Sequence, residues 1–136
     1  MRAEHWRLNA EVEERHWWFV GRRRIMGALV RRLAEPGAGH VVVDVGCGTG
    51  GNIGSLADEY GCVGVDPSPE AIELAAGRWP GVRFVCGEAP EALGGAESEA
   101  GVVLLMDVLE HVPDDFDLLS RLVAVLRPGA HLLITV

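Results

Sequence analysis

Five short apolar runs, rich in β-branched residues and separated by helical or glycine-rich stretches, constrain this chain more than any other feature. Residues 41–45, 62–65, 82–86, 101–106 and 131–136 read as strands. They are apolar without alternation, so both faces of the sheet are expected to be buried, as in a parallel sheet covered by helices on each side. The intervening pattern predicts helices over 53–60, 69–76 and 115–126. Ser68 is placed as an N-cap with Pro69 at the first helical position, and Arg127-Pro128-Gly129 as a stop. Two further helices, 4–18 and 22–33, precede the first strand. Right-handed crossovers then give an α/β fold, a doubly wound parallel sheet. Residues 1–36 form a helical N-terminal extension, and 37–136 the sheet domain.

Charge narrows the partners. Residues 1–34 hold eight Arg against four Glu, whereas 35–136 hold four Arg against sixteen acids. The acidic body repels nucleic acid and anionic membranes at long range, so neither is an expected partner. No apolar run is long enough to span a bilayer, and the three cysteines (Cys47, Cys62 and Cys86) are odd in number and in no metal-binding spacing. This usage fits a reducing, cytoplasmic location.

Ligands of such sheets bind at the carboxyl ends of the strands, where strand order reverses. The first strand ends at Asp44 and runs into Gly46-Cys47-Gly48-Thr49-Gly50-Gly51; the second ends at Asp66, the third at Gly87-Glu88 and the fourth at Asp107. The glycines admit close backbone approach at a helix N-terminus. Asp66 follows Gly46 by twenty residues, the spacing of an acid that accepts both ribose hydroxyls. A nucleoside ligand is therefore expected. The glycine spacing also satisfies the dinucleotide fingerprint, which leaves an NAD(P)-binding oxidoreductase domain as the alternative. A diphosphate on this loop would face Asp44, and the chain has no Lys at all and no Arg from Leu33 to Gly77. A ligand bringing a sulfonium and an ammonium gains from the same carboxylate.

These segments resemble the motifs of class I S-adenosylmethionine-dependent methyltransferases. Val41-Val42-Val43-Asp44-Val45-Gly46-Cys47-Gly48-Thr49-Gly50 is similar to the first motif, Gly64-Val65-Asp66-Pro67-Ser68 to the second, Phe84-Val85-Cys86-Gly87-Glu88-Ala89 to the third, and Leu126-Arg127-Pro128-Gly129 to the turn before strand five. Met106-Asp107-Val108-Leu109-Glu110-His111-Val112-Pro113-Asp114 is similar to the segment after strand four in the subgroup that includes ubiquinone-type O-methyltransferases. The resemblance implies S-adenosyl-L-methionine as cofactor, S-adenosyl-L-homocysteine as product and a small-molecule acceptor. It implies that Asp44, Gly46, Gly48 and Gly50 surround the methionine part, Asp66 the ribose and Glu88 the adenine amino group, with Cys47, Pro67, Gly87, Ala89, Met106 and Asp107 also in the cofactor pocket. It also implies a 3-2-1-4-5 sheet with two more strands after the fifth. The chain stops inside strand five, so it is expected to be an incomplete domain that self-associates through an open sheet edge, or a cofactor-binding fragment without turnover.

Asp107, Glu110 and His111 offer two sharper readings. They would make a divalent-metal set if a helix began near Asp107, since positions three and four apart share a face; the preferred reading has no metal. His111 is the candidate general base for an acceptor hydroxyl. Ahead of the sheet, His16-Trp17-Trp18-Phe19 and Arg22-Arg23-Arg24 suggest a lid, with Arg24 pairing with the cofactor's carboxylate and at least one Trp anchoring the helix instead.

Overall fold

The computed structural model describes residues 3–136. Five strands, β1 (Val41–Val45), β2 (Gly61–Asp66), β3 (Arg83–Cys86), β4 (Ala100–Met106) and β5 (His131–Thr135), form one sheet in the order β3-β2-β1-β4-β5. Every pairing is parallel. The order reverses between β1 and β4, and their carboxyl ends therefore open a crevice. All seven residues of β4 are buried, as expected for the central strand of a sheet covered on both faces.

Side chains alternate across the strands and so build two core layers. Val42, Val102 and Leu104 pack with Met26, Val30, Ile53 and Leu56 on one face. Val43, Val63, Val103 and Leu105 pack with Leu93 and Leu122 on the other. The helices are α1 (Ala3–Arg15), α2 (Trp17–Leu33), α3 (Gly51–Gly54), α4 (Pro69–Arg78) and α5 (Asp115–Val125). Ser68 caps α4 by accepting from the Ala71 N–H, with Pro69 in the first turn, and Asp114 caps α5 through the Asp117 N–H.

Two expected helices differ. The first helix stops at Arg15, because His16 takes an extended conformation and its imidazole accepts from the Trp18 N–H. Trp17, Trp18 and Phe19 thus open α2 rather than close α1. The helix expected over 53–60 is a single turn, α3, followed by tighter turns in which Leu56 N–H bonds Ile53 O and Ala57 N–H bonds Gly54 O. Ser55 Oγ donates to Asn52 O at 2.6 Å, competing with the helical ladder. Gly54 has no room for a side chain, since a Cβ there would lie 2.1 Å from the Trp79 ring. Strand β5 pairs with β4 on one side only and leaves its other edge open among the described residues. Leu132 and Leu133 pack against opposite core layers, and Ile134 is 37% exposed.

Candidate active site

The loop after β1 is built from left-handed glycines: Gly46, Gly48 and Gly50 have φ of +70°, +53° and +79°. At Gly46 a Cβ would meet Val108 Cγ2 at 2.7 Å, so glycine is required there for space as well as for conformation. The loop is fastened to β2, with Gly46 N–H and Cys47 N–H both donating to Val65 O at 2.8 and 3.0 Å. Asp66 does the rest. Its Oδ2 accepts from Gly48 N–H and its Oδ1 from Ser68 N–H, both at 2.9 Å, so one carboxylate ties the glycine loop to the start of α4.

Asp44 is the penultimate residue of β1, beneath this loop, and is 1% exposed. Its Oδ2 is buried and has no hydrogen-bond partner. Burial without a partner disfavours the charged form. The Asp44 carboxyl is pushed up to about 8 by burial first and then by the nearby charges of Asp66 and Glu13, with Arg22 opposing. A buried carboxylate oxygen left open at a glycine cradle suits a cation that supplies the missing charge and hydrogen bond.

Beside the loop lies a cleft of 340 Å³, in which Asp66, Pro67, Gly87, Glu88, Ala89 and Asp107 come together with Gly46 and His111. This size matches a small-molecule pocket. Glu88 and His111 are exposed at its walls, whereas Ala89 is 6% exposed. Asp107 has φ +56°, the one left-handed non-glycine among the described residues. That conformation is held from both sides: Thr135 O and Oγ1 accept from Asp107 N–H at 3.1 and 3.0 Å, and Thr135 Oγ1 donates to Asp107 Oδ1 at 2.9 Å. Arg22 forms an ion pair with Asp107 Oδ2. Burial acts to raise the Asp107 carboxyl, but the bonds from Arg22 and Thr135, with the charges of Arg22 and His111, hold it below the usual carboxylate range.

Some expected residues lie elsewhere. Arg24 is exposed, and its neighbours Arg22 and Arg23 turn inward instead, Arg22 to Asp107 and Arg23 to Glu13 O. Met106 ends β4 inside the core layer of Met26 rather than in the cleft. Cys47 is buried, and burial with the charges of Asp44 and Asp66 pushes its thiol far up, so it is no nucleophile. No helix begins at Asp107. Its left-handed backbone and the 3₁₀ turn Leu109–His111 break the register that a metal set required, and no metal-binding cluster occurs among the described residues.

An arginine does reach the glycine loop. Arg78 Nη1 donates to Thr49 O at 2.9 Å, although Arg78 is already held by Glu13 and Glu14. Helix α1 covers this end of the site: Glu13 Oε2 accepts from Thr49 Oγ1 at 2.8 Å, and the Trp6 ring would lie 3.3 Å from a Cβ on Gly48. Glu13, Thr49 and Arg78 carried no sequence signal, because their contact joins positions 36 and 29 residues apart.

A family model described as a methyltransferase domain matches residues 42–129. The chain belongs to this family. The methyltransferase domain is 37% identical over 103 residues to the ubiquinone biosynthesis O-methyltransferase of Cupriavidus pinatubonensis, covering 72% of this chain and 41% of that one. The crystal structure of a precorrin 8w decarboxylase from Methanobacterium thermoautotrophicum superposes with a TM-score of 0.62 at 31% identity, covering 80% of this chain and 60% of that one. A TehB-like S-adenosylmethionine-dependent methyltransferase from Corynebacterium glutamicum shares the fold, with a TM-score of 0.72 at 23% identity over 97% of this chain and 68% of that one. The chain spans 28%, 57% and 47% of the length of three curated relatives that it matches.

Proposed function

We propose that this methyltransferase domain binds S-adenosylmethionine at the β1 loop and passes its methyl group to a small-molecule acceptor. The observation that carries the reading is the buried, unpartnered Oδ2 of Asp44 under the glycine cradle. The cofactor supplies a methyl group already activated on a cationic sulfur. The chain then has to bind, orient and exclude water, and most of its rate gain comes from alignment of the acceptor. In this reading Asp44 faces the cofactor's positive end, Asp66 takes the ribose hydroxyls through its remaining lone pairs, and Glu88 and Ala89 border the base. Arg23, rather than Arg24, is the arginine for the carboxylate end, supported by its inward direction, since Arg22 is already paired with Asp107. His111 stands at the cleft wall as the base for a protic acceptor. Residues 1–36 act as the lid, supported by the seat of Trp6 and Glu13 over the loop.

Calorimetric titration with S-adenosylhomocysteine and with NAD is the test. Binding of the first and not the second is expected; the reverse overturns the proposal. No helix among the described residues is long and apolar enough to cross a membrane. A cytoplasmic location is supported by three free cysteines.

The open β5 edge supports self-association of this chain. Unpaired N–H and C=O groups beside an exposed Ile134 template a strand from a second copy. Light scattering is expected to show mass rising with concentration, and Ile134→Lys to return the monomer. Leu133 is the wrong position for that charge because it packs against the core. A wild-type mass independent of concentration removes the idea.

A further inference from the structure

A second cavity, 660 Å³ in volume, adjoins the cofactor cleft and shares Asp107 with it. The Arg22–Asp107 ion pair stands between the two rooms, fixed in place by Thr135 behind Asp107. The second room is bounded by Trp17 and Trp18 at the start of α2, Ile25 two turns further on, and Val136 beyond β5. These side chains of α2 are unusually open for their size: Trp17 is 74% exposed, Trp18 53% and Ile25 66%. An apolar patch of large side chains next to a reaction site marks a place where a ligand is desolvated.

The shape and charge of the room narrow that ligand. Trp17 and Trp18 meet edge to face, with ring centroids 6.0 Å apart at 86°, and so form a corner into which a flat ring slides against one indole with its edge toward the other. Among the described residues that line the room, the one cation is Arg22, and it is neutralised by Asp107. Glu110 also lines the room, and among the described residues it makes no hydrogen bond or ion pair. The open indole faces and an unpaired carboxylate favour positive charge. The same groups repel phosphate and carboxylate.

We infer that this room is the acceptor subsite and that it takes a flat, apolar amine, held by Trp17 and Trp18 and steered by Glu110. This rests on the methyl-transfer reading above. The bound ammonium first gives up a proton; the neutral nitrogen then donates its lone pair to the methyl carbon, the C–S bond breaks with its electrons kept on sulfur as a neutral thioether, and the product is the methylated ammonium. The released proton leaves to water or to His111 in the adjoining cofactor cleft.

The experiment measures binding of three aromatic probes to the 136-residue chain, with and without S-adenosylhomocysteine: tryptamine as the cation, 2-naphthol as the neutral ring and 2-naphthoate as the anion. Tryptamine is expected to bind at least tenfold more tightly than 2-naphthoate, with 2-naphthol between. Trp17→Ala is expected to weaken tryptamine about tenfold, and Glu110→Gln to narrow the gap between tryptamine and 2-naphthoate. Equal affinity for cation and anion overturns the inference. So does an unchanged tryptamine affinity in Trp17→Ala, or a Trp17→Ala chain whose change is in oligomeric mass alone, since a second copy then covers the corner. Failure of S-adenosylhomocysteine to bind overturns the methyl-transfer reading, while tryptamine binding to the unloaded chain still decides whether the aromatic corner is an amine site.

Discussion

Asp44→Asn is expected to lower S-adenosylmethionine affinity about thirty-fold or more at pH 8.5, while making the ligand-free chain more stable there. Removing one member of a buried, charged pair costs about 2–5 kcal/mol, and each 1.4 kcal/mol is about a factor of ten in the dissociation constant. The stability effect has the opposite sign because the carboxyl is buried without a partner in the free chain. Its ordinary value of 3.8 is raised to about 8 on folding. Below the ordinary value both folded and unfolded chains carry it protonated, and its contribution is intact. As pH rises toward 8 the unfolded chain gives up the proton and the folded chain keeps it, so stability falls across that window. Thermal unfolding of the ligand-free chain should therefore show a downward slope between pH 5 and 8 that the Asn variant lacks. Binding of a cation needs the carboxylate, so wild-type affinity should climb with pH up to about 8, with proton uptake by buffer below it. A flat pH profile of S-adenosylmethionine affinity, or equal affinity in the Asn variant, would remove Asp44 from the binding site.

The sheet was legible because its strands are apolar on both faces, a pattern with few other uses, and because Ser68-Pro69 and Pro128-Gly129 punctuate it. The strand ends were legible for the same reason: once β1 and β2 are located, Asp44 and Asp66 follow without side-chain detail. What stayed hidden depends on helix phase and on contacts distant in sequence. Arg24 stood for the inward arginine only while the start of α2 was unknown. His16 sets that start, and two residues turn a helix by roughly 200°, enough to send Arg24 outward and Arg22 to Asp107. The cover of the loop by α1 rests on Glu13 meeting Thr49 and Arg78, polar residues with no periodicity to announce them. The short α3 was misread because apolar spacing over 53–60 is helical, whereas the Trp79 ring against Gly54 and the Ser55 back-bond to Asn52 decide the local backbone.

Asp66→Ala should reduce S-adenosylhomocysteine affinity at least about tenfold, through two losses that can be separated. One is the ribose contact: hydrogen bonds to a charged partner contribute about 1.5–3 kcal/mol each, and two on one carboxylate are not additive. The other is the loop, because the carboxylate that would hold the ribose already accepts from Gly48 N–H and Ser68 N–H. Without it, a backbone of left-handed glycines loses the tie that sets its position against β2. A cycle with 2′-deoxy-S-adenosylhomocysteine distinguishes the two. If Asp66 accepts the 2′-hydroxyl, the deoxy ligand binds less tightly than the parent to the wild type and equally well to Asp66→Ala. If Asp66 serves only the loop, the deoxy penalty is the same in both chains and the ribose assignment falls. Asp66→Asn refines the answer. One neutral amide oxygen replaces two carboxylate oxygens, so one of the two backbone N–H groups loses its acceptor and the other keeps only an uncharged one, and an affinity between those of the wild type and the Ala variant is expected, with calorimetry as the measurement.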